Sequence, residues 1–402
     1  MNMANFQFST TPKIISSAGS LMQAIDWLEK NKLNKPMIVT DAGIVSLGLL
    51  APLEERMLQN NKSVYIFDQV QADPSVEIVT QAIDFARNNG IDSVLGIGGG
   101  SSLDVAKLVA IQTHNSQTLE AIFGVEVIQS SAACSKLPLI LAPTTAGTGS
   151  EVTAVAIVTT GNTTKAGIVS EMLYPDIAIL DAQLTLSLPS SVTAATGIDA
   201  MVHAIEAFTS KIKKNPYSDM LAKQALLLLT KNIETATFSP SDISARQAML
   251  LGACLAGQAF ANAPVGAIHA LAYPLGGHFH IPHGLSNALV MPHVMRFNAT
   301  AAADMYAELY TCLQQSGVVF EHLERTDNTR KQTTEQQAEA FITFLFSLVT
   351  KLGLPTKLRE LGITKADIDT LSIDAMKQTR LLVNNPKEVS LEDAMSIYQQ
   401  AL

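Results

Sequence analysis

The sequence predicts an α/β domain with a mainly parallel sheet, followed by an all-helical domain. From residue 36 to about residue 182, short β-prone apolar runs alternate with helical patterns, and crossovers of this length are typical of parallel strands. After Leu188-Pro189-Ser190-Ser191, long segments rich in Ala, Leu and Met take over and β-branched runs nearly vanish. We therefore expect an α/β domain over residues 1–190 and a helical domain over residues 191–402.

The individual elements follow from local patterns. The predicted strands of the first half are, in chain order, PMIVT before Asp41, SVYIF before Asp68, SVLGI before the glycine run at Gly98, then KLPLILAPTT, TAVAIVTT and IAILDA. The helical stretches between them include SVEIVTQAIDFARNNG. The second half has apolar residues on more than one face of its helical segments, which predicts helices buried on several sides.

Composition narrows the class of protein. A chain of 402 residues with 47% hydrophobic and 16% charged residues can bury a large core. A net charge of −9 and the lack of a basic run argue against nucleic acid as a partner. No apolar run reaches the ~20 residues of a membrane helix, and MNMANFQFSTTPK has no secretory pattern. Because Cys134, Cys254 and Cys312 are odd in number and scattered, we expect a cytoplasmic protein without a disulfide framework.

A glycine-rich segment, GIGGGSSLDVAK from Gly96 to Lys107, follows a predicted strand and opens a predicted helix. Successive glycines let the backbone approach a diphosphate, and the helix N-terminus near Ser101 and Ser102 offers free amides. The segment departs from G-x-G-x-x-G, because Ser101 occupies the last glycine position and the motif follows the third strand. Both an anion site and an ordinary strand-to-helix turn are compatible with it.

Two further segments suggest a nucleotide site. Asp41, at the end of the first of these strands, could accept hydrogen bonds from both ribose hydroxyls and would repel a 2′-phosphate, which favours NAD over NADP. The alternative is a helix N-cap before Ala42-Gly43. In APTTAGTGSEVT, hydroxyls and small residues at a strand end suit either a polar ligand or an ordinary loop.

Potential metal ligands lie in the second half. Asp199 and His203 are four residues apart, so a helix would place them on one face, one turn apart. His269 lies in an apolar helix-like run, and His283 follows Pro282, a residue that often opens a helix. One carboxylate and three imidazoles suit Fe(II), Zn or a similar ion. A simple hydrogen-bonded Asp–His pair is the alternative, and the nearby histidines at 278 and 280 leave the choice of ligands open by spacing alone.

Four segments, in this order, resemble the iron-dependent (group III) alcohol dehydrogenase family, which includes lactaldehyde/1,2-propanediol oxidoreductase and butanol dehydrogenases. They are GGGSSLDVAK, PTTAGTGSEVT, TGIDAMVHAIEAF and HALAYPLGG with IPHGLSNA. The resemblance extends from KII at residues 13–15 to NNPK near Asn385. It implies the dehydroquinate synthase-like architecture, in which a dinucleotide-binding α/β domain precedes a helical domain.

The resemblance also implies the roles of particular residues. It selects Asp199, His203, His269 and His283 as ligands of a divalent metal, with Fe(II) favoured and Zn possible. It places against the cofactor Asp41, Gly98, Gly99, Gly100, Ser101, Ser102, Thr144, Thr145, Thr148, Thr153 and Lys165. Asp104 and Lys107 match the end of the glycine motif; their alternatives are a helix-capping charge and a helix-surface charge.

One position departs from the family pattern. Many members have a second histidine four residues after the His269 equivalent, thought to help move protons, and this chain has Tyr273. A phenol with a pKa of ~10 is a poorer proton shuttle near neutral pH than an imidazole. We therefore expect Tyr273 to affect proton transfer and the pH optimum.

The function expected from this resemblance is metal-dependent hydride transfer between a small alcohol, or its aldehyde or ketone, and NAD. Phe260 either lines the substrate pocket or packs in the core. The alternatives are a glycerol dehydrogenase-like or dehydroquinate synthase-like enzyme and a non-catalytic metal-stabilised assembly protein. Family resemblance further implies a homodimer or larger homo-oligomer.

Overall fold

The structure, a computed structural model, describes residues 5–128, 135–161, 164–320 and 332–402. Its internal contacts divide the chain into two compact units. The first contains Ser9–Leu188 and Pro240–Gly257, and the second contains Met1–Phe8, Pro189–Ser239 and Gln258–Leu402. Both units are therefore discontinuous in sequence, and the single boundary between residues 190 and 191 stays a prediction.

Within the described residues, the strands all lie in the first unit. They are β1 Ile14–Ser16, β2 Pro36–Val39, β3 Tyr65–Phe67, β4 Ser93–Gly98, β5 Gly124–Val125, β6 Leu139–Pro143, β7 Val155–Thr160, β8 Thr164–Val169 and β9 Ile177–Leu180. Six of them form a parallel sheet in the order β1-β9-β6-β4-β2-β3. The predicted parallel α/β sheet is confirmed.

A second, three-stranded sheet has the order β5-β8-β7, with β7 antiparallel to β8 and β5 parallel to β8. The TAVAIVTT run is a strand, as predicted, but it belongs to this small sheet. A run of β-branched residues predicts a strand without specifying its partner, and for that reason the sequence did not separate the two sheets.

The large sheet is buried on both faces, which accounts for its continuous apolar strands. Alternate residues point to opposite faces, so Met37 and Val39 join one hydrophobic cluster and Ile38 joins the other. Leu141 and Ile140 on β6 divide in the same way. The packing of helices on both faces fixes the carboxyl ends of β2, β4 and β6 side by side.

The α-helices have the following bounds. They are α1 Gln23–Lys30, α2 Ala42–Ser46, α3 Ala51–Gln59, α4 Val76–Asn89, α5 Gly100–Gln112, α6 Ser190–Thr209, α7 Pro216–Phe238, α8 Ile243–Asn262, α9 Ala267–Phe279, α10 His283–Gln315, α11 Thr334–Lys351, α12 Ile368–Met376, α13 Thr379–Leu382 and α14 Leu391–Ala401. Short 3-10 helices span Ser20–Met22, Glu120–Ile122, Ser150–Val152, Glu171–Leu173, Ala182–Thr185, Leu358–Leu361 and Lys365–Asp367.

Local signals explain several helix ends. The Ser75 side chain accepts the Ile78 N–H at the start of α4, and Gly90 ends that helix with a φ of 60°. In the second unit, Asn215 and Ser218 form a reciprocal capping box at the start of α7. Past Leu180, the described residues contain helices and no strand, so the predicted helical second half is confirmed.

Two predictions from the sequence concern membrane-spanning helices and the cysteines. In the described ranges, no individual helix has the length and apolar character of a membrane span, although α8 and α9 taken as a bent pair pass on those two criteria. Cys254 is a buried free thiol and Cys312 a partly exposed one. Cys134 lies outside the described residues.

Candidate metal centre and cofactor turn

Three helices of the second unit bring the four predicted metal ligands together. Asp199 and His203 lie one turn apart on α6, His269 lies in the first turn of α9, and His283 is the first residue of α10. One potential ligand atom from each residue lies within 4.8 Å of the other three. The predicted helix that carries Asp199 and His203 is therefore confirmed, and so is the predicted helix start at Pro282–His283.

The ligand atoms converge on a single point. The Nε2 atoms of His203 and His269 are 3.0 Å apart, and His283 Nε2 is 3.6 Å from Asp199 Oδ1. Tetrahedral ligands at a metal–nitrogen distance of ~2.0–2.1 Å would be ~3.3 Å apart, close to these separations. Two imidazole nitrogens that face each other across such a gap fit a shared cation.

Burial makes this cluster electrostatically unusual. Asp199, His203 and His269 are at most 5% exposed, whereas the His283 side chain is 30% exposed. Burial acts to raise the pKa of Asp199, but the attraction of the three imidazoles and a hydrogen bond from Asn287 outweigh it, so the pKa lies below its usual value. The ionised form of this carboxylate is therefore favoured, and one carboxylate with three imidazole side chains is a donor set suited to a divalent cation.

Two residues at this site were missed in the sequence analysis. Glu206, on α6, accepts a hydrogen bond from His269 Nδ1 at 2.6 Å, and Asn287, on α10, donates Nδ2–H to Asp199 Oδ1 at 2.6 Å. Asn287 Nδ2 is also 3.3 Å from Nε2 of both His269 and His283. A signal was available in each case, because Glu206 is three residues after His203 and Asn287 four residues after His283 on the same helix.

The other nearby histidines lie elsewhere. His278 Nε2 is 2.6 Å from Asp374 Oδ2, and this carboxylate also pairs with Lys377. His280 is exposed and ends α9 with a φ of 54°. Neither residue joins the four-residue cluster.

Two aromatic rings border the cluster. Phe260 stacks on the His203 ring, with centroids 4.4 Å apart and an interplanar angle of 19°. The Tyr273 ring lies 5.7 Å from the His283 ring, one helical turn along α9 from His269. Phe260 therefore both packs against a ligand and forms an apolar wall beside it, and Tyr273 places a phenol beside the most exposed ligand.

The predicted cofactor residues lie in the first unit, at the carboxyl ends of adjacent strands. Asp41 follows β2, the glycine turn follows β4, and Thr144 follows β6. The Asp41 side chain accepts the Ile44 N–H at 3.1 Å. Asp41 is therefore the N-cap of α2, which was the alternative to a cofactor contact in the sequence analysis. Its other oxygen lies near Gly98, since a Cβ built on Gly98 would be 3.6 Å from Asp41 Oδ2.

At Gly98 and Gly100 the glycine turn is packed too closely for a side chain. A Cβ on Gly98 would lie 2.7 Å from Ser102 Oγ, and one on Gly100 would lie 2.7 Å from Thr148 Cγ2. Gly99 precedes α5 without a side-chain cap on the helix N-terminus. Thr144 N–H donates to Gly98 O at 2.9 Å, and Thr145 lies 3.9 Å from the Cβ position of Gly99. The segments GIGGGSSLDVAK and APTTAGTGSEVT therefore pack directly against each other.

Asp104, Lys107 and Thr153 have structural partners. Lys107 is fully buried and its Nζ donates to Val155 O at 2.7 Å and to Thr153 Oγ1 at 3.2 Å. Asp104 accepts Ser150 Oγ–H at 2.6 Å and the backbone N–H of residue 157 at 3.0 Å. Burial lowers the pKa of Lys107 against the opposing attraction of Asp104. The helix-surface alternative for Lys107 is therefore wrong, because this side chain fastens α5 to the loop after β6.

Lys165 and the serines complete the predicted set. Lys165, on β8, forms an ion pair with Asp73 at 2.6 Å. Ser102 is buried in the first turn of α5, and Ser101 beside it is partly exposed. The structure therefore places Asp41, the glycine turn and the three threonines Thr144, Thr145 and Thr148 together, whereas Lys165 is engaged by Asp73.

These features define a class of protein: a parallel α/β unit with a glycine-rich turn between β4 and α5, and a helical unit with a largely buried cluster of three histidines and one carboxylate. The chain belongs to the iron-containing alcohol dehydrogenase family. Residues 11–182 match "Iron-containing alcohol dehydrogenase", and residues 193–402 match "Fe-containing alcohol dehydrogenase family, C-terminal". The predicted family and fold are confirmed, and the protein is an enzyme of the alcohol dehydrogenase class.

Individual relatives match over almost their full length. The chain is 36% identical to long-chain-alcohol dehydrogenase 1 of Geobacillus thermodenitrificans, over 95% of this chain and 93% of that one. A crystal structure of 1,3-propanediol oxidoreductase matches with a TM-score of 0.90 at 30% identity, covering 99% of this chain and all of the other. Sulfoacetaldehyde reductase from Bifidobacterium kashiwanohense, in complex with NAD+, matches with a TM-score of 0.85 at 28% identity and 99% coverage of both chains.

Proposed function

We propose that this protein transfers a hydride between a small primary or secondary alcohol, or its aldehyde or ketone, and NAD, with a divalent metal held by Asp199, His203, His269 and His283. The observation that carries the proposal is the convergence of these four side chains, three of them buried, with ligand atoms within 4.8 Å of one another. Membership of the iron-containing alcohol dehydrogenase family supports the reaction class.

The donor set supports Fe(II) as the metal, with Zn as the second choice. Three imidazoles and one carboxylate bind either ion, and the family description favours iron. A bound divalent ion with one carboxylate ligand would supply Lewis acidity that polarises an alcohol or carbonyl oxygen. Elemental analysis of protein purified without chelator, from cells grown with both metals, tests the choice.

The residues around the ligands have distinct proposed roles. Phe260 packs on His203 and contributes an apolar surface, which suits small uncharged alcohols and aldehydes. Tyr273 places a phenol beside the partly exposed His283, where it can exchange a proton with solvent or substrate. The reaction requires no side-chain nucleophile.

For the cofactor, we propose that the diphosphate binds the Gly98–Gly100 turn and the N-terminus of α5, together with Ser101, Ser102, Thr144, Thr145 and Thr148. Free backbone amides and the helix dipole favour an anion at this position. Asp41 lies beside Gly98, where its carboxylate would accept hydrogen bonds from the ribose hydroxyls and would repel a 2′-phosphate. A relative that binds NAD+ supports the same preference.

Asp104, Thr153 and Lys165, which were also predicted to contact the cofactor, have indirect or conditional roles in this proposal. Asp104 and Thr153 fix the loop that carries Thr148, through Ser150 and Lys107. Lys165 reaches a cofactor only if its ion pair with Asp73 opens. We further propose a cytoplasmic homodimer or larger homo-oligomer, which size-exclusion chromatography with light scattering tests.

One experiment tests the function as a whole. The purified protein, with its metal content measured, is assayed with NAD and with NADP against linear alcohols and aldehydes of two to six carbons, 1,2-propanediol and glycerol. We expect turnover of small alcohols or aldehydes, with NAD preferred. Turnover of glycerol alone would favour the glycerol dehydrogenase-like alternative, and bound metal with no turnover of any substrate would favour a non-catalytic protein.

A further inference from the structure

Glu206 is a buried residue whose carboxylate contacts His269, one of the four proposed metal ligands. It lies on α6, three residues after His203, and is only 5% exposed. Its Oε2 is 2.6 Å from His269 Nδ1, and its Oε1 accepts the backbone N–H of Ile268 at 2.6 Å. Both oxygens of this carboxylate therefore meet the first turn of α9.

The contact with Nδ1 determines the state of the His269 ring. An ionised carboxylate can only accept, so Nδ1 must carry the proton in this hydrogen bond. A neutral imidazole has one ring proton, and Nε2 is then left with a free lone pair. That lone pair is on the side of the ring that faces His203, where the two Nε2 atoms are 3.0 Å apart. The imidazole is thus prepared to bind a cation.

The contact with Ile268 fixes the backbone that carries this ring. Helix α9 starts after Gly266, which provides no side-chain cap. Glu206 accepts the second N–H of the helix, and Asn385 Oδ1 accepts the first, from Ala267, at 3.4 Å. A carboxylate at a helix N-terminus also interacts favourably with the helix dipole. Glu206 therefore serves as a cap supplied by a neighbouring helix.

We propose that Glu206 is a positioning residue of the metal centre, which sets the His269 tautomer and anchors the start of α9 with one carboxylate. The inference rests on the metal site of the proposed function. Glu206 is not a ligand in this arrangement, because its Oε2 contacts His269 Nδ1 and its Oε1 accepts the Ile268 N–H, whereas His269 faces the other ligands through Nε2. Outer partners of metal-binding histidines contribute about 10–100-fold in metal affinity, so the same range applies here.

The decisive variant is Glu206→Gln. A glutamine amide has one accepting oxygen, which can keep the Ile268 N–H, and its NH2 group then faces His269 Nδ1. Nδ1 must accept that hydrogen bond, so the proton moves to Nε2 and blocks the metal-facing lone pair. We expect a folded protein whose dissociation constant for Zn or Fe(II) is about 10–100-fold weaker. Glu206→Ala removes the cap as well, and it should show the same loss together with a lower melting temperature.

Two readouts separate this effect from a merely structural one. Metal affinity is measured by competition with a chromophoric chelator, and the ring-nitrogen shifts of His269 are measured by NMR on metal-free protein labelled with 15N-histidine. The matched control is Glu234→Gln, which removes the charge of a surface glutamate paired with Lys351. It should leave both readouts unchanged.

The outcomes discriminate between the two proposals. Wild-type metal affinity in a folded Glu206→Gln variant would overturn the positioning role. If the wild-type protein itself binds no metal, the proposed function fails, and the inference about Glu206 is then judged by the metal-free NMR spectra. A protonated Nδ1 in the wild type that moves to Nε2 in the variant supports it, and an unchanged tautomer rejects it.

Discussion

Replacing Gly284 by alanine should damage the metal site through a backbone contact. Gly284 is the second residue of α10, directly after His283. A Cβ at this position would lie 2.4 Å from the carbonyl oxygen of Ala195, 2.8 Å from its carbonyl carbon and 3.2 Å from Cβ of Asp199. The first turn of α10 therefore crosses α6 where only a hydrogen atom fits.

The size of the effect follows from these distances. Close carbon–oxygen contacts in proteins are ~3.3 Å or longer, so the helices must separate by about 1 Å. Overpacking of this kind costs ~1–3 kcal/mol of stability. Metal–ligand distances tolerate only about 0.2 Å, and the shift moves His283 away from Asp199, from which its Nε2 is 3.6 Å in the native structure. If ~1.4 kcal/mol of the strain is relieved by displacing the ligands, metal affinity falls about tenfold, in addition to the loss of stability.

The assay compares Gly284→Ala with Gly317→Ala. Gly317 follows α10, has a φ of 87° and has no atom within 4 Å of its Cβ position, so alanine there strains the backbone by ~1–2 kcal/mol without touching the site. Melting temperature and metal dissociation constant are measured for both variants. Lower stability in both and weaker metal binding only in Gly284→Ala is the expected pattern. Normal metal affinity in Gly284→Ala would refute the argument that this crossing sets the ligand spacing.

Three other perturbations give independent tests. His269→Ala should abolish turnover and weaken metal binding by more than the ~100-fold that an outer partner contributes, as elemental analysis and assay with NAD would show. Gly100→Ala should weaken NAD binding about tenfold, equivalent to ~1.4 kcal/mol, because its Cβ meets Thr148 at 2.7 Å, and calorimetry should show unchanged metal affinity. Burial raises the pKa of Glu151 from 4.5 to about 7, so the stability tied to its protonated form is present below pH 4.5 and is lost as the pH rises to about 7. Glu151→Gln should flatten the decrease in melting temperature across that window, and a parallel decrease in both proteins would contradict the assignment.

Local structure was predictable to the extent that it depends on neighbouring residues. The runs before Asp41 and Asp68 are strands β2 and β3, and Pro282 introduces α10 as expected. Partners in space were less predictable. The TAVAIVTT run pairs with β8, which the sequence analysis did not identify as a strand, because KAGIV carries a charge and a glycine that weaken the β pattern.

In the metal cluster too, the sequence predicted local structure better than contacts between distant residues. Helical spacing joined Asp199 to His203, but nothing in the sequence spacing joined that pair to His269, 66 residues after His203. Family resemblance supplied the selection among the histidines, and the structure supplied the reason that His278 is not available, namely its contact with Asp374. Glu206 and Asn287 lie at helical spacing from a ligand, so a search of positions three and four residues away would have found both.

The distribution of the ligands over three helices predicts that metal binding stabilises the helical unit. A cation shared by α6, α9 and α10 favours the folded state, in which the four groups converge. At a free metal concentration of 100 times the dissociation constant, the gain is about 2.7 kcal/mol if the unfolded chain does not bind. Calorimetric melting of metal-free protein with added Zn tests this, with His269→Ala as control. An equal rise in melting temperature for the variant would mean that the ion binds elsewhere, since the variant keeps the rest of the chain but lacks one ligand.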